Sequence, residues 1–171
     1  VAAVLPIPIE PDRHACLLAL NNAHAAELSL LSAAEFGRLL GQAFHAVRIG
    51  EADAFLLAFD QAADYVSPNF RWFRERRRRF VYVDRVVVAA QARGRGLARL
   101  LYDDLFDRAA GMGHDRVVCE VNIDPPNPVS DALHDRLGFV EVGQAAIHDG
   151  RKTVRYLERL LATGKEVPYR P

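Results

Sequence analysis

The sequence predicts a mixed α/β fold, and three observations carry that prediction. Phe80 to Val88 is a strand-forming run, with Val81, Tyr82, Val83, Val86, Val87 and Val88 supplying β-branched and aromatic packing. After Gly96, Leu97, Leu100, Leu101, Leu105 and Ala109 recur along one helical stripe, with Arg99, Asp103, Asp104 and Arg108 mostly outside it. The chain then reads strand, helix, strand, strand to its end, an alternation that places helices against a sheet.

At 171 residues the chain is long enough for one ordinary domain, read here as residues 1–171 throughout. Its 22 basic side chains balance 22 acidic ones, so the surface as a whole exerts no long-range pull on nucleic acid or an anionic membrane. Cys16 and Cys119 make no disulfide framework and have no neighbours at zinc-ligand spacing. Nor do His14, His24, His45, His114 and His148 show metal spacing, so no metal is expected. Reduced cysteines and the lack of any run of roughly 18 to 20 apolar residues point to a soluble, cytoplasmic protein.

From the start, residues 1–11 carry prolines and read as an extended arm rather than a signal helix. Leu17, Leu18 and Leu20, then Leu28, Leu30 and Leu31, surround Asn21-Asn22, a pair expected to interrupt a helix. Ser32 followed three residues later by Glu35 is a capping box, opening a helix through Phe36, Leu39, Leu40 and Phe44. His45 to Ile49 and Phe55 to Phe59 read as a hairpin around Gly50-Glu51-Ala52-Asp53. About twenty irregular residues are expected before the valine-rich strand, and a loop of that length is often a functional lid.

The helix after Gly96 stops at Gly111 and Gly113, and Arg116 to Ile123 forms the next strand. Asp124-Pro125-Pro126 forces an extended exit; Asn127 then caps a helix that has Pro128 at its first position and Gly138 at its end. Phe139 to Val142 and Lys152 to Leu157 complete the strands around Asp149-Gly150.

Gln91-Ala92-Arg93-Gly94-Arg95-Gly96 sits between a strand and a helix, where unpaired helix-start amides and close-approaching glycines suit a diphosphate. It lacks the Gly-Lys-Ser/Thr ending of a triphosphate loop, and Arg99 stands where a dinucleotide fingerprint needs a small residue. The turn resembles the Gln/Arg-x-x-Gly-x-Gly/Ala signature of the GNAT superfamily of acyl-coenzyme-A-dependent N-acetyltransferases. Further on, Asn127-x-x-Ser130-x-x-x-His134 is similar to that family's Asn-x-x-Ala-x-x-x-Tyr, and Leu137-Gly138-Phe139 to its Leu-Gly-Phe ending. Together these motifs cover roughly the third quarter of the chain, within a core at residues 80–139.

The resemblance implies a central, mixed, splayed sheet flanked by helices and acetyl-CoA as cosubstrate. It implies that strand backbone at Val86, Val87 and Val88 meets the pantetheine arm and the oxyanion. The diphosphate would rest on Arg93, Gly94, Arg95, Gly96, Leu97 and Ala98, with Asn127, Ser130 and His134 on the other side. Acetyl transfer needs a base for the amine, an oxyanion donor and an acid for the departing thiolate. His134 stands where the family has Tyr, and imidazole can serve as that acid. Asp84, placed by alternation on the same face as Tyr82 and Val88, leads as base, with Glu120 second.

The Asp64–Arg79 segment could wall an amine site with Tyr65, Trp72 and Phe73, while Arg71 or Arg74 holds a carboxylate. Competing readings make the aromatics core and Arg76 to Arg79 a solvated rim, or the whole segment a single-strand nucleic-acid surface. The expected acceptor is a primary amine on a small molecule, amino acid or peptide; the alternative function is a non-catalytic CoA-sensing or interaction domain. Cys119 is expected in the core, not as a nucleophile. The acceptor's identity and the oligomeric state are not written in the sequence.

Overall fold

A computed structural model describes residues 4–25 and 28–162. The elements follow one another as β1 (Ile7–Pro8), α1 (His14–Ala23), α2 (Ala33–Gln42), β2 (His45–Ile49), β3 (Ala54–Asp60), α3 (Pro68–Arg74), β4 (Val81–Val88), α4 (Leu97–Gly111), β5 (Arg116–Asp124), α5 (Pro128–Arg136), β6 (Val140–Ile147) and β7 (Lys152–Leu160). They build one seven-stranded sheet in the order β1-β2-β3-β4-β5-β7-β6. All neighbours are antiparallel except β4 and β5, which α4 connects in parallel.

The parallel pair explains the shape of the cleft. β4 and β5 pair only at Val81 with Val117 and Tyr82 with Val118, and beyond that point the strands splay apart. Val83 to Val88 remain bonded to β3 on one side and leave their other edge open toward β5. Backbone groups on that edge need partners, which gives the opening a polar wall of main-chain atoms.

Each sheet face is covered by a different set of apolar groups. Leu97, Leu101, Tyr102, Leu105, Phe106 and Ala109 of α4 pack on Val81, Val83, Val117, Cys119 and Val121. The opposite face buries Phe59, Phe70, Phe73, Phe80, Tyr82, Val118 and Tyr156. A third cluster sets Leu17 of α1 and Phe36 of α2 against Phe55 and Val87, fixing the two N-terminal helices beside the open end of β4.

Several expectations meet their residues. The Ser32–Glu35 capping box forms, with the Glu35 amide donating to Ser32 Oγ at 3.2 Å and the Ser32 amide to Glu35 Oε2 at 2.8 Å. The β2–β3 hairpin pairs His45 with Ala58 through Ile49 with Ala54. Asn127 caps α5, accepting from the Ser130 amide at 3.2 Å.

Others are corrected. Asn21-Asn22 does not interrupt α1, because both amides are used where the helix ends. Asn21 donates to the Ser29 carbonyl at 3.1 Å, and Asn22 donates to the Leu31 carbonyl at 2.9 Å. The expected irregular stretch contains α3, begun by Ser67, whose hydroxyl accepts from the Phe70 amide at 3.4 Å, with Pro68 in the first turn. β6 runs on to Ile147 and β7 to Leu160, beyond the predicted ends, since each completes the other's ladder.

The expected alternation along β4 also fails. Arg85 pairs with Leu57 and Val83 with Ala58, so Asp84 is an extra residue without a cross-strand partner, a β-bulge. The bulge reverses which residues face which side. Val86 and Val88 join Val81 and Val83 on the α4 face, whereas Tyr82 and Val87 lie on the other, so Asp84, Tyr82 and Val88 do not share a face.

Candidate active site

The splay between β4 and β5 opens into a cavity of about 610 Å³. Its walls are the free edge Val83 to Val88, Cys119 to Asn122 of β5, the start of α4, and α5 from Asn127 to Leu137.

At one end lies the glycine turn. A short 3-10 turn, Ala90–Ala92, leads into Gly94 and Gly96, both with φ of +75°, where a left-handed backbone favours glycine. Gly96 is the N-cap of α4 and supplies no side-chain cap, so the first-turn amides are left for a ligand. A Cβ built on either glycine meets nothing within 4 Å, so the space before those amides is open. The macrodipole of this 15-residue helix adds to the attraction for an anion.

The cationic side chains at this end differ from the expected set. Arg93 lines the cavity and reaches His24 Nε2 at 3.2 Å, while Arg95 turns away to pair with Asp53 at 3.0 Å. His24, Arg99 and Arg136 also line the cavity, and the sequence reading missed all three. Helical spacing could have indicated Arg99, in the first turn of α4; His24, just past the end of α1, is distant in sequence and carried no local signal.

His134 is almost fully buried at 3 % exposure, not a surface residue of α5. Its Nδ1 donates to the Ser130 carbonyl at 2.7 Å, so in the neutral ring Nε2 accepts from the Tyr102 hydroxyl, also at 2.7 Å. Burial holds the imidazole below its ordinary value, against the opposing pull of the Ser130 carbonyl, Asp131 and Asp135. The ring is therefore neutral with both nitrogens engaged, and the hydroxyl beside it in the same wall belongs to Tyr102. Cys119, next to that hydroxyl, is buried, and burial pushes its thiol well above the usual range, as suits a core residue.

The two candidate bases occupy unlike surroundings. Asp84 is fixed by Arg85, whose Nε lies 2.6 Å away, and by the Tyr65 hydroxyl, which donates to its other oxygen. Arg85 is itself buried and donates to Asn21 Oδ1 at 2.7 Å, so the carboxylate belongs to a network tying α1 to the bulge. Glu120 Oε1 accepts from Asn69 Nδ2 at 2.8 Å and from the Tyr82 hydroxyl at 3.1 Å. Its Oε2 is shielded from water and has no hydrogen-bond partner among the described residues. Burial, reinforced by the charge on Asp84, pushes the Glu120 carboxyl up to about 7 despite those two donors. A carboxylate near neutrality with one uncommitted oxygen is chemically suited to accept a proton.

The segment expected to wall an acceptor site divides. Phe73 is fully buried in the core, so its proposed substrate contact is corrected: it packs with Phe80, Tyr82 and Tyr156. Trp72 stacks on Tyr156 at 4.2 Å and carries the Arg76 guanidinium on its far face at 4.4 Å. Tyr65 stacks on Phe59, and with Arg71 and Arg74 it borders a small hollow of about 50 Å³. Arg77 and Arg79 are not simply a solvated rim, since they reach Glu158 at 2.6 Å and the Met112 carbonyl at 2.9 Å. Among the described residues no group of three His, Cys, Asp or Glu could hold a metal, and no helix is long and apolar enough to cross a membrane.

The family model described as the acetyltransferase (GNAT) family matches residues 12–139. No curated protein matches the sequence. Solved structures do resemble it. The ribosomal-protein-S18-alanine N-acetyltransferase of Escherichia coli is 18% identical with a TM-score of 0.69, covering 98% of this chain and 99% of that one. Salmonella typhimurium yncA, solved with its cofactor acetyl-CoA, is 18% identical with a TM-score of 0.70 over 98% of this chain and 99% of its own. Arabidopsis thaliana NAA60, solved with a bisubstrate analogue, is 14% identical with a TM-score of 0.72 over 95% and 100%. At such identities the likeness is one of fold.

Proposed function

We propose, proceeding from the fact that this chain belongs to the GNAT family of acetyltransferases, that it moves an acetyl group from acetyl-CoA directly to a primary amine on a peptide or small molecule. The observation that carries the proposal is a single cavity with an anion-seeking helix start at one end and a neutral-range carboxyl on its β5 wall. A relative in fold whose name specifies a protein alanine favours a peptide amine as the acceptor.

In this reading the amides from Arg93 to Ala98 hold the diphosphate, aided by Arg93, while Asn127 and Ser130 border the arm. The free edge at Val86 to Val88 bonds the pantetheine amides and donates to the carbonyl oxygen as it gains charge. The amine nitrogen attacks the thioester carbon, and its proton passes to the Glu120 carboxylate. The C–S bond then breaks with its electron pair on sulfur, and the thiolate receives a proton from the Tyr102–His134 pair, whose hydroxyl turns from Nε2 toward the cavity. Glu120 and Tyr102 return to their starting states through solvent. No covalent enzyme intermediate is involved.

The test is calorimetry with CoA and acetyl-CoA, followed by release of free thiol with a panel of peptide and small-molecule amines. Binding with amine-dependent release is expected. Failure of well-folded protein to bind either form of the cofactor would overturn the proposal. Binding without release toward every amine would favour the CoA-sensing reading, for which the occupied nitrogens of His134 are the supporting observation.

A further inference from the structure

The uncommitted oxygen of Glu120 owes its freedom to a residue from a distant helix. Asn69, in the first turn of α3 and 8 % exposed, turns its Nδ2 to Glu120 Oε1 at 2.8 Å. Its own Oδ1 accepts from the Tyr156 hydroxyl at 3.1 Å, so both ends of the amide are engaged, and the acceptor-only carboxylate selects Nδ2 for its side. Tyr82 donates to the same Oε1, so both donors gather on one carboxylate oxygen.

The support continues outward. Tyr156 lies under Trp72, and Trp72 lies under Arg76, a stack running from the nook to the surface. Gly143 of β6 makes room for it, because a Cβ there would stand 2.6 Å from Trp72 Cζ2. The stack holds the Tyr156 ring, the ring's hydroxyl holds the Asn69 amide, and the amide holds Glu120.

We infer that Asn69 is a positioning residue for the catalytic base, holding the Glu120 carboxylate in the β5 wall of the cleft by occupying Oε1 with a donor that Tyr156 anchors, so that Oε2 is the oxygen left without a partner. The inference rests on the reading of Glu120 as the base. Asn69 does not touch the reacting atoms; it acts through the carboxylate. Donation to the charged form favours ionisation, so Asn69 also keeps the base from becoming protonated too readily. The other titratable groups around Glu120 are Asp84 and Tyr82 of β4, Tyr65 before α3, Tyr102 of α4, Cys119 beside it on β5 and Tyr156 of β7. Tyr156 is pushed up to about 12, chiefly by burial and then by the Glu120 charge, so it remains a donor throughout the working range.

The experiment follows the Glu120 carboxyl carbon by NMR in glutamate-labelled full chain, with the resonance identified by its loss in Glu120→Gln. Wild type should titrate near 7. Asn69→Leu removes the donor and should move the midpoint up by about one pH unit. Asn69→Asp keeps the shape, places a second carboxyl beside the first, and should move it further in the same direction. Tyr156→Phe keeps the ring stack, removes only the hydroxyl that holds the amide, and should move the midpoint upward by less. It also serves as the informative variant if Asn69 substitutions do not fold. The acid limb of kcat/KM for thiol release should shift with the carboxyl. An unchanged Glu120 midpoint in folded variants overturns the positioning role. A moved midpoint with an unmoved acid limb instead overturns Glu120 as the base, so the two failures are separable.

Discussion

The two ends of the cavity are built by opposite means. The glycine turn presents backbone amides from one short stretch of chain, with Gly94 and Gly96 opening the space in front of them. The Glu120 nook is assembled from side chains of β4, α3, β5 and β7, joined by hydrogen bonds whose partners lie between 38 and 87 residues apart. A backbone site asks little of residue identity except glycine, and it tolerates change around it. A side-chain nook has its function in the charge state of one carboxyl, and every neighbour can move that state.

Replacing Glu120 by Gln is the largest test of this contrast. Turnover should fall by about two to four orders of magnitude, the range associated with losing a positioned base, while CoA affinity stays unchanged. In wild type, activity should fall as pH drops below about 7, because the carboxylate is the working form. Stability runs the other way. A carboxyl whose folded value is raised from 4.5 to about 7 costs the fold nothing below the unfolded value, and stability is lost as pH rises through 7. Glu120→Gln should therefore gain up to about 3 kcal/mol at pH 8 and little at pH 5, measured by denaturant unfolding. A variant that loses both activity and stability at pH 8 would show the nook to be structural.

Asp84 sharpens the comparison because it is also a carboxylate beside the same cleft. Its ion pair with Arg85 leaves both side chains 4 % exposed. Asp84→Asn strands a buried guanidinium, which should cost roughly 3 kcal/mol of unfolding free energy. The acid limb of acetyl transfer should persist and move to lower pH, because the Asp84 charge helps to hold the Glu120 carboxyl up; its disappearance while Glu120 still titrates would return the base to Asp84.

These carboxylates also mark the boundary of what was legible in the sequence. The valine-rich strand, the glycine turn, the Ser32–Glu35 box and the Asn127 cap were readable because each depends on spacing within a few residues. The bulge at Asp84 was not, since its presence depends on how β4 registers against β3, and it turned a correct strand into wrong side-chain directions. α3 was not legible although Ser67-Pro68 is an ordinary helix start, because its seven residues are too few for a clear apolar stripe and arginines interrupt the pattern. Asn69 had no signal at all: its meaning lies in partners on β5 and β7. The same holds for Tyr102, whose stripe position read as core packing while its hydroxyl reaches His134.

Gly96→Ala gives the smallest effect and tests the backbone half alone. Its φ of +75° and ψ of 12° lie in the left-handed region, where a side chain costs about 1–2 kcal/mol. The added methyl meets no protein atom within 4 Å, so in the free protein the cost is conformational rather than a clash. With the cofactor bound, that methyl stands beside the space that the diphosphate would occupy. CoA affinity measured by calorimetry should fall about tenfold if the cofactor loses a further 1.4 kcal/mol to the displaced amides. The Glu120 titration should not move, because the turn and the nook share no hydrogen bond. Undiminished affinity would mean that Arg93 and Arg99, rather than the amides, hold the anion, and the site would then be one of side chains at both ends.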